Sequence, residues 1–109
     1  MSNLRPLHIL SDRHRAGIED PEWPLADLST DALGERRVYT HEVTFATPYE
    51  DAAPVVQVSL CGFDADNRAA TRLSLRPHAI TTRGFSVVIE TWRDSRVYGV
   101  EFSWLAIGT

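Results

Sequence analysis

The sequence predicts an all-β fold, an antiparallel β-sandwich preceded by an irregular N-terminal arm. From Val38 onward, short runs of alternating apolar and polar residues follow one another, and brief polar turns separate them. No stretch with helical periodicity lies between these runs. Because short turns join neighbouring strands most easily, we expect a meander of antiparallel neighbours packed into two layers.

Residues 1–37 differ from the rest of the chain and predict the arm. "RPLHILS" can form a short extended segment, and the mixed-charge stretch after it is interrupted by glycines and prolines. The two prolines that flank "EW" argue against a continuous helix. We expect Trp23, Leu25 and Leu28 to anchor the arm to the body, and the arm can contribute one further short strand.

Five strand-like runs follow the arm. They are "VYTHEVTF" (38–45), "VVQVSLCGF" (55–63), "TRLSLRPH" (71–78), "FSVVIETW" (85–92) and "VYGVEFSWLAIG" (97–108). Successive side chains of a strand point to opposite faces, so Phe85, Val87 and Ile89 share the core face of the fourth run. Glu90 and Trp92 are then expected to point outward.

The last run carries apolar residues on both faces. Either Val100, Phe102 and Trp104 face the core while Leu105 and Ile107 contact a partner, or the two sets are exchanged. Burial of both faces by the arm, within one chain, is the remaining arrangement.

Composition narrows the class of protein. A chain of 109 residues fits one domain, and its formal net charge of −4, with no basic patch, argues against nucleic-acid binding. Leu7–Leu10 is too short for the apolar region of a signal peptide, and no window is long enough for a transmembrane helix. We expect a soluble protein that does not insert into membranes, either cytoplasmic or exported by a non-classical route.

Residues suited to catalysis or metal binding are few. The single cysteine, Cys61, excludes an internal disulfide and a paired-cysteine zinc site, and its position in a strand predicts a small buried side chain. The four histidines lack metal-ligand spacing. No persuasive pair of carboxylates for glycoside hydrolysis, no Ser/His/Asp set and no Gly-rich phosphate loop is present. We therefore expect no enzyme activity, no metal and no cofactor.

The stretch "ETWRDSRVYGV" (90–100) is the best candidate for a ligand site. Interpreted as a hairpin, it places Trp92 before and Tyr98 after a polar turn, and Arg72 also points away from the core. A galactose-like ring can lay its C–H face on an aromatic plane while arginine and aspartate bond to its hydroxyls. The alternative is an ordinary pair of sheet aromatics, which stabilises a fold by about 0.2–1 kcal/mol.

Six phrases, in a fixed order, carry a family resemblance. They are "VTFATPY", "PVVQVSL", "TRLSL", "ITTRGFSVVIETW", "DSRVYGV" and "FSWLAIG". Together they resemble the H-type lectin family, known from discoidin C-terminal domains and snail agglutinins. The resemblance implies a six-stranded antiparallel β-sandwich at residues 38–109, after the arm at 1–37. It also implies a homotrimer, sometimes doubled to a hexamer, that binds N-acetylgalactosamine or galactose and is not catalytic.

The resemblance further implies which residues hold the sugar. Arg72 matches the family arginine at the start of the third core strand, Trp92 the tryptophan that ends the next strand, and Tyr98 the tyrosine that opens the last one. Arg93 stands where the family often has a hydrogen-bonding residue such as histidine. Its length and charge allow it either to reach an acidic sugar or to crowd an N-acetyl group.

The family also uses an acidic residue and a backbone group before the first core strand. In "STDALGERR" the candidates are Asp31, Gly34 and Glu35, and we take Asp31 and Gly34 as sugar-binding residues. The departures at Arg93 and in this loop leave a second interpretation open. It is a trimeric structural or cell-adhesion module without sugar binding.

Overall fold

The computed structural model describes residues 6–27 and 35–109, and these contain six β-strands and no helix. The strands are β1 (His8–Gly17), β2 (Arg37–Thr44), β3 (Val55–Ala65), β4 (Ser74–His78), β5 (Gly84–Thr91) and β6 (Val97–Gly108). They form two three-stranded antiparallel sheets, in the orders β1–β6–β3 and β2–β5–β4. The predicted six-stranded antiparallel β-sandwich is confirmed.

The connectivity differs from the predicted meander. Of the strands that are consecutive in sequence, only β4 and β5 pair with each other, and every other connection crosses from one sheet to the other. The meander was wrong although all pairing is antiparallel. Alternation determines which side chains face the core, but it carries no information about which strand lies alongside.

Strand β1 is longer than the short extended segment predicted in the arm. It pairs with β6 over ten residues, from His8 opposite Gly108 to Gly17 opposite Gly99. The charged stretch "DRHR" lies within it. A strand at the edge of a sheet tolerates such a run because its side chains reach solvent and discourage pairing with other chains.

The rest of the described arm packs against the sandwich as expected. Leu25 is fully buried, and Trp23 is half-buried with its indole Nε1 donating a hydrogen bond to the carbonyl oxygen of Val97 at 2.8 Å. The Trp23 ring also lies against Tyr39, with ring centroids 5.0 Å apart. The predicted anchoring is confirmed for these two residues, and Leu28 lies outside the described residues.

The core faces follow the alternation. Phe85, Val87 and Ile89 are buried as predicted. The opposite face of β5 is also covered: Glu90 is buried and forms ion pairs with Arg36 and Arg76. Because β5 is the central strand of its sheet, long side chains from both neighbours cover it.

Strand β6 resolves the question left open by its two apolar faces. Val100, Phe102 and Trp104 are buried in the core, whereas Leu105 and Ile107 lie on the outer face, each 37% exposed. The first of the two arrangements is therefore correct for the core. The outer face of β6 remains available for contact.

Two histidines meet across the sheets. The rings of His14 on β1 and His41 on β2 are 4.7 Å apart, and the indole Nε1 of Trp104 donates to His14 Nε2 at 3.1 Å. That bond requires an unprotonated Nε2. Burial lowers the pKa of His41, the neighbouring His14 lowers it further, and the carboxylates of Asp20 and Glu42 act in the opposite direction.

Cys61 is exposed, so its predicted burial was wrong. The pairing of β3 with β6 steps from Leu60 directly to Gly62, which leaves Cys61 as the extra residue of a β-bulge. In the part of the chain that the structure describes, no group of three or more metal-ligating side chains is placed to hold an ion. Nor does any helix there have the length and apolarity needed to cross a bilayer.

Candidate functional site

The connection at residues 92–96 joins β5 to β6 and crosses between the two sheets. Its interpretation as a hairpin was therefore wrong. Trp92 and Tyr98 are not cross-strand neighbours, and among the described residues their rings make no contact with each other or with another aromatic ring. Both residues are half-buried, which leaves part of each ring accessible to a ligand.

A buried arginine at the start of β2 fixes this connection. Arg37 is 6% exposed, and its guanidinium donates four hydrogen bonds to backbone carbonyls. Two go to Leu25 at 3.1 Å and Asp27 at 2.9 Å, and two go to Arg93 at 2.7 Å and Ser95 at 2.9 Å. A planar fork of donors can bridge two segments in this way. It therefore ties the N-terminal segment to the connection.

Nearby charges of both signs act on the Arg37 guanidinium. Burial lowers the pKa of its guanidinium, the Asp27 carboxylate raises it, and the nearby positive charge of Arg96 lowers it again. Nothing in the sequence indicates this role, because Arg37 follows Arg36 in a charged run that is typical of an exposed loop end.

Arg72 lies beside the connection, as the resemblance implied. Its Nη1 donates to Asp94 Oδ1 at 2.8 Å, and its backbone N–H donates to the Ser95 hydroxyl at 2.9 Å. The Ser95 hydroxyl in turn donates to the carbonyl of Ala70 at 2.7 Å, and the Thr91 hydroxyl donates to the carbonyl of Arg72. The segment before β4 is thus hydrogen-bonded to the connection, which holds the Arg72 guanidinium next to Asp94.

Tyr98 has a carboxylate partner that the sequence did not reveal. Its hydroxyl donates to Asp66 Oδ2 at 3.3 Å, and the Arg68 guanidinium binds both oxygens of the same carboxylate. The hydrogen bonds from Arg68, with a smaller contribution from Tyr98, hold the pKa of Asp66 well below its usual range. Asp66 is therefore an ionised acceptor. The only sequence signal was an aspartate two residues before an arginine in a polar turn.

These side chains surround a cleft of about 240 Å³ that is lined by Asp66, Arg68, Ala69, Asp94 and Arg96. The two carboxylates in its wall are the ones that bond to Arg72 and Tyr98. Two of the four predicted sugar-binding side chains, Arg72 and Tyr98, thus bond to carboxylates of the cleft wall. The cleft offers fixed donors and acceptors, which is what recognition of a polyhydroxyl ligand requires.

Arg93 occupies a strained position in the connection. Its φ is +60°, a backbone conformation that residues other than glycine and asparagine rarely adopt, and its side chain is exposed. The remaining predicted residues, Asp31 and Gly34, lie outside the described residues. Glu35, the alternative acidic residue, is described and exposed.

The model of the H-type lectin domain family matches residues 40–107, from within β2 to the penultimate residue of β6. The chain belongs to the H-type lectin family. This match covers the whole connection together with β3, β4 and β5, so Arg72, Trp92, Arg93 and Tyr98 all fall inside it.

The chain is also similar to individual proteins, and the solved structures among them share its fold. A protein of Fuscovulum blasticum described as "ATP synthase subunits region ORF 7" is 38% identical over 73 residues, which cover 67% of this chain and 63% of that protein. Two structures of discoidin II from Dictyostelium discoideum, a native recombinant form and a wild-type form, superpose with TM-scores of 0.75 and 0.76 at 23% identity. The superpositions cover 98% and 99% of this lectin chain. The chain spans only 39% of the length of each discoidin chain.

Proposed function

We propose that this H-type lectin binds galactose-type sugars, N-acetylgalactosamine or galactose, at the connection between β5 and β6. The observation that supports this most directly is the pair of arginine–aspartate contacts at one cleft: Arg72 with Asp94 and Arg68 with Asp66. Each contact fixes a carboxylate that can accept hydrogen bonds from sugar hydroxyls. Trp92, half-buried at the end of β5, supplies an apolar surface for the C–H face of the ring.

In this proposal each described residue has a separate role. Arg72 donates hydrogen bonds to ring hydroxyls, while Asp94 orients its guanidinium at 2.8 Å. The Tyr98 hydroxyl donates to Asp66 and so helps to hold that carboxylate in place. Arg93 contacts the substituents of the sugar from the solvent side. Asp31 and Gly34 stay part of the proposal as the acidic and backbone contacts that the family resemblance implies.

The proposed activity is binding without catalysis. A glycosidase needs one carboxylic acid whose pKa is raised so that it can protonate the leaving group. Arg68 has the opposite effect on Asp66, because its hydrogen bonds lower the pKa of that carboxyl. Asp66 is thus suited to accept hydrogen bonds and unsuited to donate a proton.

A titration of the protein with N-acetylgalactosamine and galactose tests the proposal. We expect weak, saturable binding with a dissociation constant on the order of 0.1–1 mM, because a small polar ligand exchanges hydrogen bonds to water for hydrogen bonds to protein. Trp92→Ala and Arg72→Gln should each weaken binding about tenfold or more. Arg83→Gln is the matched control, since Arg83 is an exposed arginine in the turn at the opposite end of β5.

The outcomes separate the lectin from the structural module. Binding that is lost in Trp92→Ala and retained in Arg83→Gln supports sugar recognition at the connection. A protein that assembles but gives no signal with either sugar would establish the trimeric structural or adhesion module instead. Thermal denaturation of each variant shows whether a loss of binding reflects a loss of folding.

We also propose that the lectin assembles as a homotrimer, with a hexamer as its doubled form. The support is a row of three exposed apolar side chains across the outer face of the first sheet: Ile9, Ile107 and Val55 are cross-strand partners and are 56%, 37% and 70% exposed. Contiguous exposed apolar surface of this kind favours protein contact. A trimer would present three sites, which raises apparent affinity for clustered glycans by roughly 10²–10⁴.

Sedimentation or light scattering measures the assembly directly. The expected mass is three times the 12.2 kDa of the chain, or six times for the hexamer. Val55→Lys should reduce it to the mass of one chain. Val38→Lys is the control, because Val38 is an exposed valine on the outer face of the other sheet. A wild-type protein that sediments as a monomer would contradict the proposal.

A further inference from the structure

Positive charge is concentrated around the cleft of a chain that is negative as a whole. The chain has a formal net charge of −4, yet the two segments that form the cleft, residues 66–72 and 93–96, carry a local excess of two positive charges. The charged residues of these segments are Arg68, Arg72, Arg93 and Arg96 against Asp66 and Asp94. Lectin recognition of a neutral sugar does not require this excess.

Arg96 is the cation that the cleft does not neutralise. Both carboxylates of the cleft are already engaged, Asp94 by Arg72 and Asp66 by Arg68 and Tyr98. Among the residues that the structure describes, the Arg96 guanidinium has no ion pair and no hydrogen-bond acceptor, and its Nε is buried without a partner. A buried donor that lacks an acceptor destabilises the free protein and is satisfied when a ligand supplies one.

A second positive charge, the buried Arg37 guanidinium, lies near Arg96. Burial lowers the pKa of the neighbouring Arg37 most, the Asp27 carboxylate raises it, and the positive charge of Arg96 lowers it by a smaller amount. Two like charges close together, one of them buried, are stabilised by a nearby negative group. Guanidinium groups are well suited to carboxylate and sulfate because their planar donors match two anionic oxygens at once.

We propose that the cleft lined by Asp66, Arg68, Ala69, Asp94 and Arg96 is an anion subsite, which selects galactose-type sugars that carry a carboxylate or a sulfate group. Arg96 is the residue that contacts the anionic group, and Arg72 and Trp92 hold the sugar ring beside it. This inference rests on the proposed sugar binding at the connection between β5 and β6. It goes beyond that function because it names the class of sugar that the site prefers.

The test compares neutral and anionic forms of one sugar. Galactose, galacturonic acid and galactose 6-sulfate are titrated separately into the full chain, first at about 0.1 M and then at about 1 M salt, where the screening length falls from roughly 10 Å to 3 Å. We expect at least one anionic sugar to bind about tenfold more tightly than galactose at low salt, and this advantage to shrink at high salt. The carboxylate and the sulfate arms distinguish the two sources of the anion.

Variants assign the preference to the cleft. Arg96→Gln should bring the ratio of anionic to neutral affinity close to one. Arg83→Gln removes the same charge at the opposite end of β5 and should leave the ratio unchanged. If Arg96→Gln unfolds, the salt dependence of the wild-type ratio still tests the inference.

Failure of this inference can be told apart from failure of the lectin proposal. Binding of galactose that equals or exceeds binding of both anionic sugars overturns the anion subsite and leaves sugar recognition intact. Absence of binding by all three sugars overturns both. An anionic preference that Arg83→Gln abolishes as fully as Arg96→Gln also overturns the subsite, because the effect would then arise from net charge.

Discussion

Arg37→Met removes the guanidinium that joins the N-terminal segment to the site connection. The wild-type side chain makes four charge-assisted hydrogen bonds to carbonyls, at 3.1, 2.9, 2.7 and 2.9 Å. The carbonyl of Leu25 keeps a second donor, the N–H of Val97 at 3.0 Å, and Asp27 is exposed so that water can reach it. The main loss therefore falls on the carbonyls of Arg93 and Ser95, and Ser95 is 1% exposed.

The expected loss in the free energy of unfolding follows from the hydrogen bonds to Arg93 and Ser95. Hydrogen bonds to charged groups contribute about 1.5–3 kcal/mol each, so losing two of them costs about 3–6 kcal/mol. For a domain of this size that lowers the melting temperature by roughly 12–25 °C. Arg37→Lys should fall between wild type and Arg37→Met, since an ammonium has three donors and cannot span four carbonyls. Differential scanning fluorimetry measures all three proteins.

Arg36→Met is the matched control for this prediction. Arg36 is the preceding residue, its side chain is 68% exposed, and its ion-pair partner at 3.0 Å is the buried Glu90, which keeps a second ion pair with Arg76 when Arg36 is removed. Because the Arg36 guanidinium is largely in solvent and Glu90 retains Arg76, the loss should cost about 1 kcal/mol and lower the melting temperature by roughly 4 °C. If Arg37→Met is no less stable than Arg36→Met, the described role of Arg37 is wrong. At temperatures where it is folded, Arg37→Met should also bind sugar more weakly, because the Arg93 and Ser95 backbone loses its support.

Three further predictions concern stability. Burial lowers the pKa of His41 in the folded protein, so between that pKa and about 6.5 the unfolded chain binds more protons than the folded one. The melting temperature should therefore fall as the pH drops from 7 to 5. It should fall less in His41→Gln. A Cβ on Gly84 would overlap a backbone carbonyl of β2, so Gly84→Ala should lower the free energy of unfolding, measured by chemical denaturation, by roughly 2 kcal/mol or more. A Cβ on Gly62 would have no atom within 4 Å, so Gly62→Ala should lower it by less than about 0.5 kcal/mol. Arg93 has a φ of +60°, which glycine adopts more readily, so Arg93→Gly should raise the free energy of unfolding by about 1 kcal/mol. A variant that is equally or less stable than wild type would show that Arg93 is not strained.

Local alternation carried most of what could be predicted about the fold. Phe85, Val87 and Ile89 form the core face of β5 because burial on one side of a strand leaves a period of two in the sequence. The same pattern failed in β1, where an edge strand exposes its charged run, and it could not reveal that β5 and β6 belong to different sheets. Pairing depends on contacts between residues far apart in sequence, which periodicity does not record.

The site was predictable only where a motif recorded it. The resemblance named Arg72 and Tyr98, which the structure shows bonded to Asp94 and Asp66, yet these two aspartates look like ordinary turn residues in the sequence. The sequence also did not reveal the role of Arg37. A buried arginine that binds backbone carbonyls has no side-chain partner whose identity or spacing could show it in the sequence.

A crystal structure of the protein soaked with N-acetylgalactosamine tests the central claim most directly. We predict one sugar per chain, with its ring against Trp92 and its hydroxyls bonded to Arg72 and a carboxylate of the cleft. Sugar bound at a remote surface, or crystals without bound sugar at a concentration far above the expected dissociation constant, would contradict the account.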